Sequence, residues 1–323
     1  MNPTACITVM LALACALVPL PAFSESYPTR PIRLIVAFPP GGSTDALARI
    51  ITPKLGEAMG QNWIVDNRGG AGGNVGAEIV ARANPDGYTA LVAVDSQLTA
   101  NPTLYKLPFN VERDLQPVTM LAVPEQLLIV FPGVPAKTFK EFIELARQKP
   151  GALNYASAGV GSPIHLAAEL LKKRTGIDIT HVAYKGAGPA IAALLAGEVQ
   201  VVAGSVASTL AFVTSGRLRA LAATGAKRSK ALPDLPTVAE SGYPGFEITV
   251  WLGLLVPGHT PKSITERMRN EVIKALQLPD VQMSMARQAL PPETSTSEEL
   301  AARIRKETLM WAAVIKDARI HLD

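Results

Sequence analysis

Short apolar runs alternate with helix-period segments along most of this 323-residue chain, which predicts an α/β fold with largely parallel sheets. Four glycine-rich loops each stand between an apolar run and a helix-period run, where ligands of open α/β sheets bind, outside the carboxyl ends of the strands. Apolar residues make up 48% of the sequence. A chain of about 300 such residues can bury two domain cores without covalent staples.

The first strand is expected at Ile32–Phe38, an apolar run closed by Pro39-Pro40-Gly41-Gly42. Further strands are expected at Trp63–Asp66, Thr89–Val94, Leu127–Val130, Asn154–Ala156, Ile179–Ala183, Val199–Val202, Leu218–Ala223 and Val250–Val256. Between them, Ala46–Met59, Ala77–Ala83, Phe139–Gln148, His165–Thr175, Pro189–Leu195 and Ile264–Leu276 carry apolar residues at helical spacing. No tandem repeat or low-complexity linker interrupts the pattern.

Two stretches read as domain crossings. Asp114–Pro124 is turn-rich and leads into a second α/β unit, and Pro233–Phe246, rich in Pro and Gly, leads back to a last strand and C-terminal helices. The expected organisation is therefore a discontinuous first lobe, 25–124 plus 247–323, with a second lobe, 125–246, inserted in it. Two crossings of this kind make a hinge that can close on a ligand.

Residues 1–24 read as a secretory signal, with an apolar stretch at Ile7–Val18, a Pro19/Pro21 break and Ala22-Phe23-Ser24 as a small-x-small cleavage site. A transmembrane helix needs roughly 20 apolar residues, more than this stretch offers. A rival reading lipidates Cys15 after Ala12-Leu13-Ala14. Both cysteines, Cys6 and Cys15, fall inside the leader. Cleavage at Ser24 would leave a chain with neither disulfide nor thiol.

The net charge of +4 is thinly spread, and its densest clusters, Lys172-Lys173-Arg174 and Lys227-Arg228-Ser229-Lys230, lie at helix-end and loop signals. A nucleic-acid partner is not expected, because that needs a basic stripe with groove-reading or aromatic elements. A solvated face explains these charges.

Of the four loops, Phe38-Pro39-Pro40-Gly41-Gly42-Ser43-Thr44-Asp45 is an anion cradle by its chemistry. Free backbone N–H groups at a helix start, approached through side-chain-free glycines, bind a carboxylate or phosphate without a cationic side chain. Asn67–Gly76 adds Asn74, which offers both amide donor and acceptor. Ser157–His165 and Tyr184–Ala190 again place hydroxyls and free amides ahead of a helix. For His165, a hydrogen bond to its own loop and a ligand contact are both open; Lys185 is either an anion partner or an exposed lysine.

Other chemistries find less support. The glycines Gly70, Gly72, Gly73 and Gly76 break the G-x-G-x-x-G register, and no Walker A sequence is present. The four histidines, His165, His181, His259 and His321, include no i, i+4 pair, so no metal site is expected. Gly159-Val160-Gly161-Ser162-Pro163 lacks the order of a nucleophile elbow. No cofactor is expected. Trp251 reads as core or hinge packing, with the cleft as the alternative.

Taken together, the chain resembles the Bug family, the extracytoplasmic solute receptors of tripartite tricarboxylate transporters. The resemblance rests on Tyr27–Ile32, Phe38–Asp45, Asn67–Gly76, Asn84–Tyr88, Gly159–Ser162 with His165-Leu166, His181–Ala190, Leu232–Glu240 and Trp251–Leu254, all in family order. It implies a two-lobed periplasmic binding protein, type II-like, with a hinge and an interlobe cleft that holds a small organic carboxylate. Carried over by position, Phe38, Gly41, Gly42, Ser43, Thr44, Asp45 and Asn74 line the cleft from one lobe. Ser157, Gly159, Ser162, His165, Tyr184, Lys185, Gly186 and Ser205 line it from the other. Where many relatives have an acid, this chain has Gly204, between Ala203 and Ser205, which points to a ligand without an amine there, unless Gly204 only shapes a turn outside the pocket.

The resemblance further implies a monomer that hands its ligand to membrane permease subunits and carries no catalytic residues. A receptor docking a sensor kinase and an exported enzyme on the same fold are the alternatives.

Overall fold

The computed structural model describes residues 27–184 and 186–320. The leader, Cys6, Cys15, Lys185 and His321 lie outside them. The chain opens with β1 (Ile32–Val36), α1 (Ser43–Met59), β2 (Trp63–Asn67), α2 (Asn74–Ala81) and β3 (Thr89–Val94). Three short helices, α3 (Asp95–Thr99), α4 (Asn101–Leu104) and α5 (Val111–Asp114), lead to β4 (Leu115–Ala122). Next come β5 (Gln126–Val130), α6 (Phe139–Gln148), β6 (Asn154–Ser157), α7 (Pro163–Thr175) and β7 (Thr180–Ala183). The middle section ends with α8 (Ala187–Ala196), β8 (Val201–Ser205), α9 (Val206–Thr214) and β9 (Arg219–Ala223). The chain closes with β10 (Leu252–Pro257), α10 (Lys262–Gln277), α11 (Pro279–Arg287) and α12 (Ser297–Asp317).

The strands form two five-stranded sheets, ordered β2-β1-β3-β10-β4 and β7-β6-β8-β5-β9. Both have the same plan. β1 runs parallel to β2 and β3, and β6 parallel to β7 and β8, whereas β10 and β5 are antiparallel to both their neighbours. The expectation of largely parallel sheets therefore needs correction: each sheet is mixed. β5 and β10 are the first strands after the chain leaves the other sheet, so they arrive from the opposite direction to the βαβ strands. The result is the two-lobed fold expected of a type II binding protein.

β4 is absent from the expected strands: within the crossing Asp114–Pro124, Leu115–Ala122 forms an edge strand of the first sheet. Pro117 hides it. An edge strand tolerates a residue with no N–H to donate, and the ladder to β10 shifts register between Leu254 and Leu255, beside Pro117.

Each sheet is covered on both faces. In the first, Leu47, Ile51 and Leu55 of α1 pack with Met268 and Val272 of α10 on one face. Ala77 and Val80 of α2 pack with Leu300 and Ile304 of α12 on the other. Burying a side chain of this size is worth about 1.5–3 kcal/mol. Trp251, fully buried beside β10, belongs to this core; its indole N–H donates to Glu307 of α12 at 2.8 Å. The second sheet packs α6 and α7 on one face and α8 on the other. A smaller apolar cluster joins the lobes, with Ala100 and Leu104 of the first against Leu166 of the second and Trp311, Val314 and Ile315 of α12.

Candidate functional site

The predicted loops leave the carboxyl ends of the parallel strands in both sheets. In the first loop Gly41 has φ +92° and Gly42 is the N-cap of α1, with no side chain capping the helix. A Cβ built on either glycine meets nothing within 4 Å. The helix start of α1 thus has no side-chain acceptor of its own, and the glycines leading to it are open to approach, the condition for holding an external anion.

Asp45 shapes this loop from behind. Its carboxylate accepts the Gly41 N–H at 3.0 Å, the Asn67 amide at 3.1 Å and the Arg49 guanidinium at 3.1 Å. Burial would raise this carboxyl, but the bonds from Arg49, Gly41 and Asn67 outweigh it and hold it below the usual carboxylate range. Asn67 also donates to Phe38 O, closing the turn at 3.0 Å. Phe38 packs against the cores on both faces of the sheet, and Thr44 is buried while Ser43 is exposed.

Asn74 starts α2 after four consecutive residues at positive φ, Gly70, Ala71, Gly72 and Gly73. Gly73 is a position where no side chain fits, since a Cβ there would lie 2.3 Å from Gln97 Nε2. The Gln97 amide donates to Gly73 O at 2.8 Å, and Asn101 donates to Gly72 O and to Asn74 Oδ1. Asn74 Nδ2 is buried with no hydrogen-bond partner among the described residues. Such a donor ordinarily finds an acceptor, because leaving it bare costs about 1–3 kcal/mol.

In the second lobe, Gly159 and Gly161 take φ +116° and +77°. The hydroxyls beside them are engaged within the loop. Ser162 caps α7 by accepting the His165 N–H, and Ser157 Oγ accepts the Gly159 N–H at 3.1 Å. His165 is buried and its Nδ1 accepts the Gly161 N–H at 3.1 Å, so the own-loop bond is the one present. The Tyr184 N–H donates to Ser157 O, and a Cβ on Gly159 would lie 3.6 Å from Tyr184 O, which makes these two loops neighbours. Gly186, at φ +124°, is the N-cap of α8 and again no side chain caps the helix.

Ser205 ends β8 and caps α9 through Ser208 N. Gly204 points elsewhere: its Cβ would meet Thr209, Ile129 and Val202, so an acid at this position would enter the lobe's core. That favours the reading in which Gly204 lies outside the pocket.

Although no two histidines stand at i, i+4, His165 and His181 meet in space and stack with ring centroids 4.1 Å apart. The register of β6 and β7 pairs Tyr155 with His181, which sets His181 on the face that also carries Ser157. No local motif announces this; only the strand pairing does. Among the described residues no group of three or more His, Cys, Asp or Glu side chains could hold a metal ion. Nor is any described helix long and apolar enough to cross a membrane.

Comparison with known proteins agrees with this architecture. The family model described as "Tripartite tricarboxylate transporter family receptor" matches residues 47–320. Protein BugT of Bordetella pertussis is 35% identical over 320 residues, covering 98% of each chain. A protein of R. palustris solved with adipate is 33% identical, with a TM-score of 0.83 over 91% of this chain and 99% of that one. MatC of Rhodopseudomonas palustris, solved with bound malate, is 31% identical, with a TM-score of 0.79 over 90% of this chain and 100% of that one.

Proposed function

Because the chain belongs to the tripartite tricarboxylate transporter receptor family, we propose that it captures a small organic carboxylate between its two lobes and delivers it to a membrane permease. The family is one of periplasmic solute receptors rather than enzymes. On this reading the chain is exported by cleavage after Ser24, acts as a monomer and catalyses nothing. The closing bodies are 25–124 with 247–323, and 125–246.

The observation that carries the proposal is the pair of uncapped helix starts at Gly42 and Gly186, one in each lobe, both opening on space that a Cβ would not fill. Two such starts suit a carboxylate held mainly by backbone N–H groups. Gly42, Ser43, Thr44 and Asn74 present donors from the first lobe, and Ser162, Tyr184, Lys185, Gly186 and Ser205 from the second; Gly41 and Gly159, whose N–H groups are held by Asp45 and Ser157, shape the loops around the ligand. Phe38, Asp45, Ser157 and His165 keep their places in the site as its supporting layer. The adipate and malate of two relatives are ligands of this class.

A thermal-shift screen of the mature chain against organic acids tests the proposal, since a ligand that binds only the native state raises the midpoint by mass action. Dicarboxylates should raise it. A shift with phosphate, sugars or cations and none with any carboxylate would refute the ligand class.

A further inference from the structure

His181 lies outside the residues predicted for the site, yet it supports them at two points. Its Nε2 is 2.6 Å from Ser157 Oγ, and its ring stacks on His165 at 4.1 Å and on Tyr155 at 4.8 Å. Ser157 and His165 are in turn the side chains that hold the Gly159 and Gly161 amides. With both glycines at positive φ the backbone is permissive here, and beside the packing of Val160 it is hydrogen bonds that fix its shape.

A hydroxyl has one proton and two lone pairs. Ser157 Oγ uses one lone pair for the Gly159 N–H and stands 3.1 Å from Gly159 O as well. His181 Nε2 completes this set from the neighbouring strand β7, as donor or acceptor according to its tautomer. We propose that His181 is a positioning residue: through Ser157 and the face of His165 it holds the Gly159–Ser162 loop in the shape that the ligand meets, without touching the ligand itself.

The surrounding charges fit a neutral pair. Burial lowers the pKa of both imidazoles, and His165, with His181 beside it, falls to about 4. The nearest carboxylate, Glu169, is already engaged by Tyr155 OH at 2.5 Å and Lys172 at 2.9 Å. His165 Nδ1 thus stays free to accept the Gly161 N–H through the neutral range.

The inference rests on the proposed carboxylate site, but its test has a readout independent of any ligand. Amide hydrogen exchange at Gly159 and Gly161 is measured in the wild type, H181F, S157A, the double variant and H181Q, beside calorimetric affinity for adipate and malate. H181F keeps an aromatic ring and loses the bond. It should raise exchange at both glycines and weaken whichever probe binds, each by roughly ten-fold, as expected for one lost buried hydrogen bond. S157A should match it, the double variant should be no worse than S157A, and H181Q, whose amide can reach Ser157, should recover most of the loss.

Unchanged exchange in H181F, or losses that multiply in the double variant, would overturn the proposal. Should H181F fail to fold, the contrast of S157A with H181Q decides on the same grounds, slow exchange in H181Q alone supporting it and equal exchange in the two refuting it. If the wild type binds neither probe, the ligand reading fails while the exchange data still judge the role of His181.

Discussion

Leu104 of the first lobe closes on Gly161 of the second, so tightly that a Cβ on Gly161 would stand 2.6 Å from Leu104 Cδ1. This contact joins the Gly159–Ser162 loop to α4, and it lies beside the apolar cluster shared by the lobes. G161A therefore carries two penalties: a non-glycine side chain at φ +77° and a clash across the cleft. The first costs about 1–2 kcal/mol by itself. Calorimetry should find carboxylate affinity reduced at least ten-fold in G161A, with L104A restoring only part of it, because truncating leucine relieves the clash and not the backbone.

Gly42 separates a binding role from a folding role. Its φ of −84° is one that any residue adopts, and the space around it is open. G42V should keep the wild-type melting midpoint to within about 0.5 kcal/mol, the usual range for a surface change, while losing ligand affinity by more than ten-fold. Equal affinity would remove the first loop from the site.

Asp45 links loop shape to pH. Because its folded pKa is depressed, the stability it contributes is present above the unfolded carboxyl value and is lost as pH falls through the folded one. Its partner Arg49 is more than half exposed, so solvent screening reduces that part of the gain. D45N should destabilise by about 1–2 kcal/mol at pH 7. In denaturant titrations the gap to wild type should shrink as pH falls below about 4, where the carboxyl of the unfolded chain takes up its proton before the folded one does. A gap constant from pH 7 to pH 3 would show that ionised Asp45 does not hold the loop.

Asp95 behaves in the opposite sense. It is buried at the end of β3 with Oδ1 unpartnered among the described residues, and burial, then the nearby Glu307, push its carboxyl well above the usual range. A raised folded pKa in an acid means that stability is greatest at low pH and declines as pH rises towards it. D95N removes the titration. It should be more stable than wild type at pH 8 by about 1–3 kcal/mol, the cost of an unsatisfied buried polar group, and the advantage should fade towards pH 4. Thermal unfolding at the two pH values checks this, and a destabilised D95N at pH 8 would mean that Asp95 is ionised and well paired.

The elements that local pattern specifies were readable in the sequence. The strand Thr89–Val94 and the helix Phe139–Gln148 have the bounds their periodicity predicts. β4 was hidden because Pro117 looks like a breaker, and only a place at the sheet edge makes it acceptable. The directions of β5 and β10 are set by which lobe the chain arrives from, information that no window of residues contains. The site divides in the same way. Glycines and helix starts mark the loops, but which partners a hydroxyl takes depends also on tertiary contacts, as the bond between Ser157 and His181 of the neighbouring strand demonstrates. His181 was invisible as a site residue until the pairing of β6 with β7 set it beside Tyr155.

The central claim, one carboxylate held by backbone amides of both lobes, is tested most directly by amide chemical-shift mapping during titration with the acid that gives the largest thermal shift. The largest changes should fall together at Gly42–Thr44, at Gly159–Ser162 and at Gly186, saturating with a single dissociation constant. Changes confined to one lobe, or centred away from these helix starts, would contradict it.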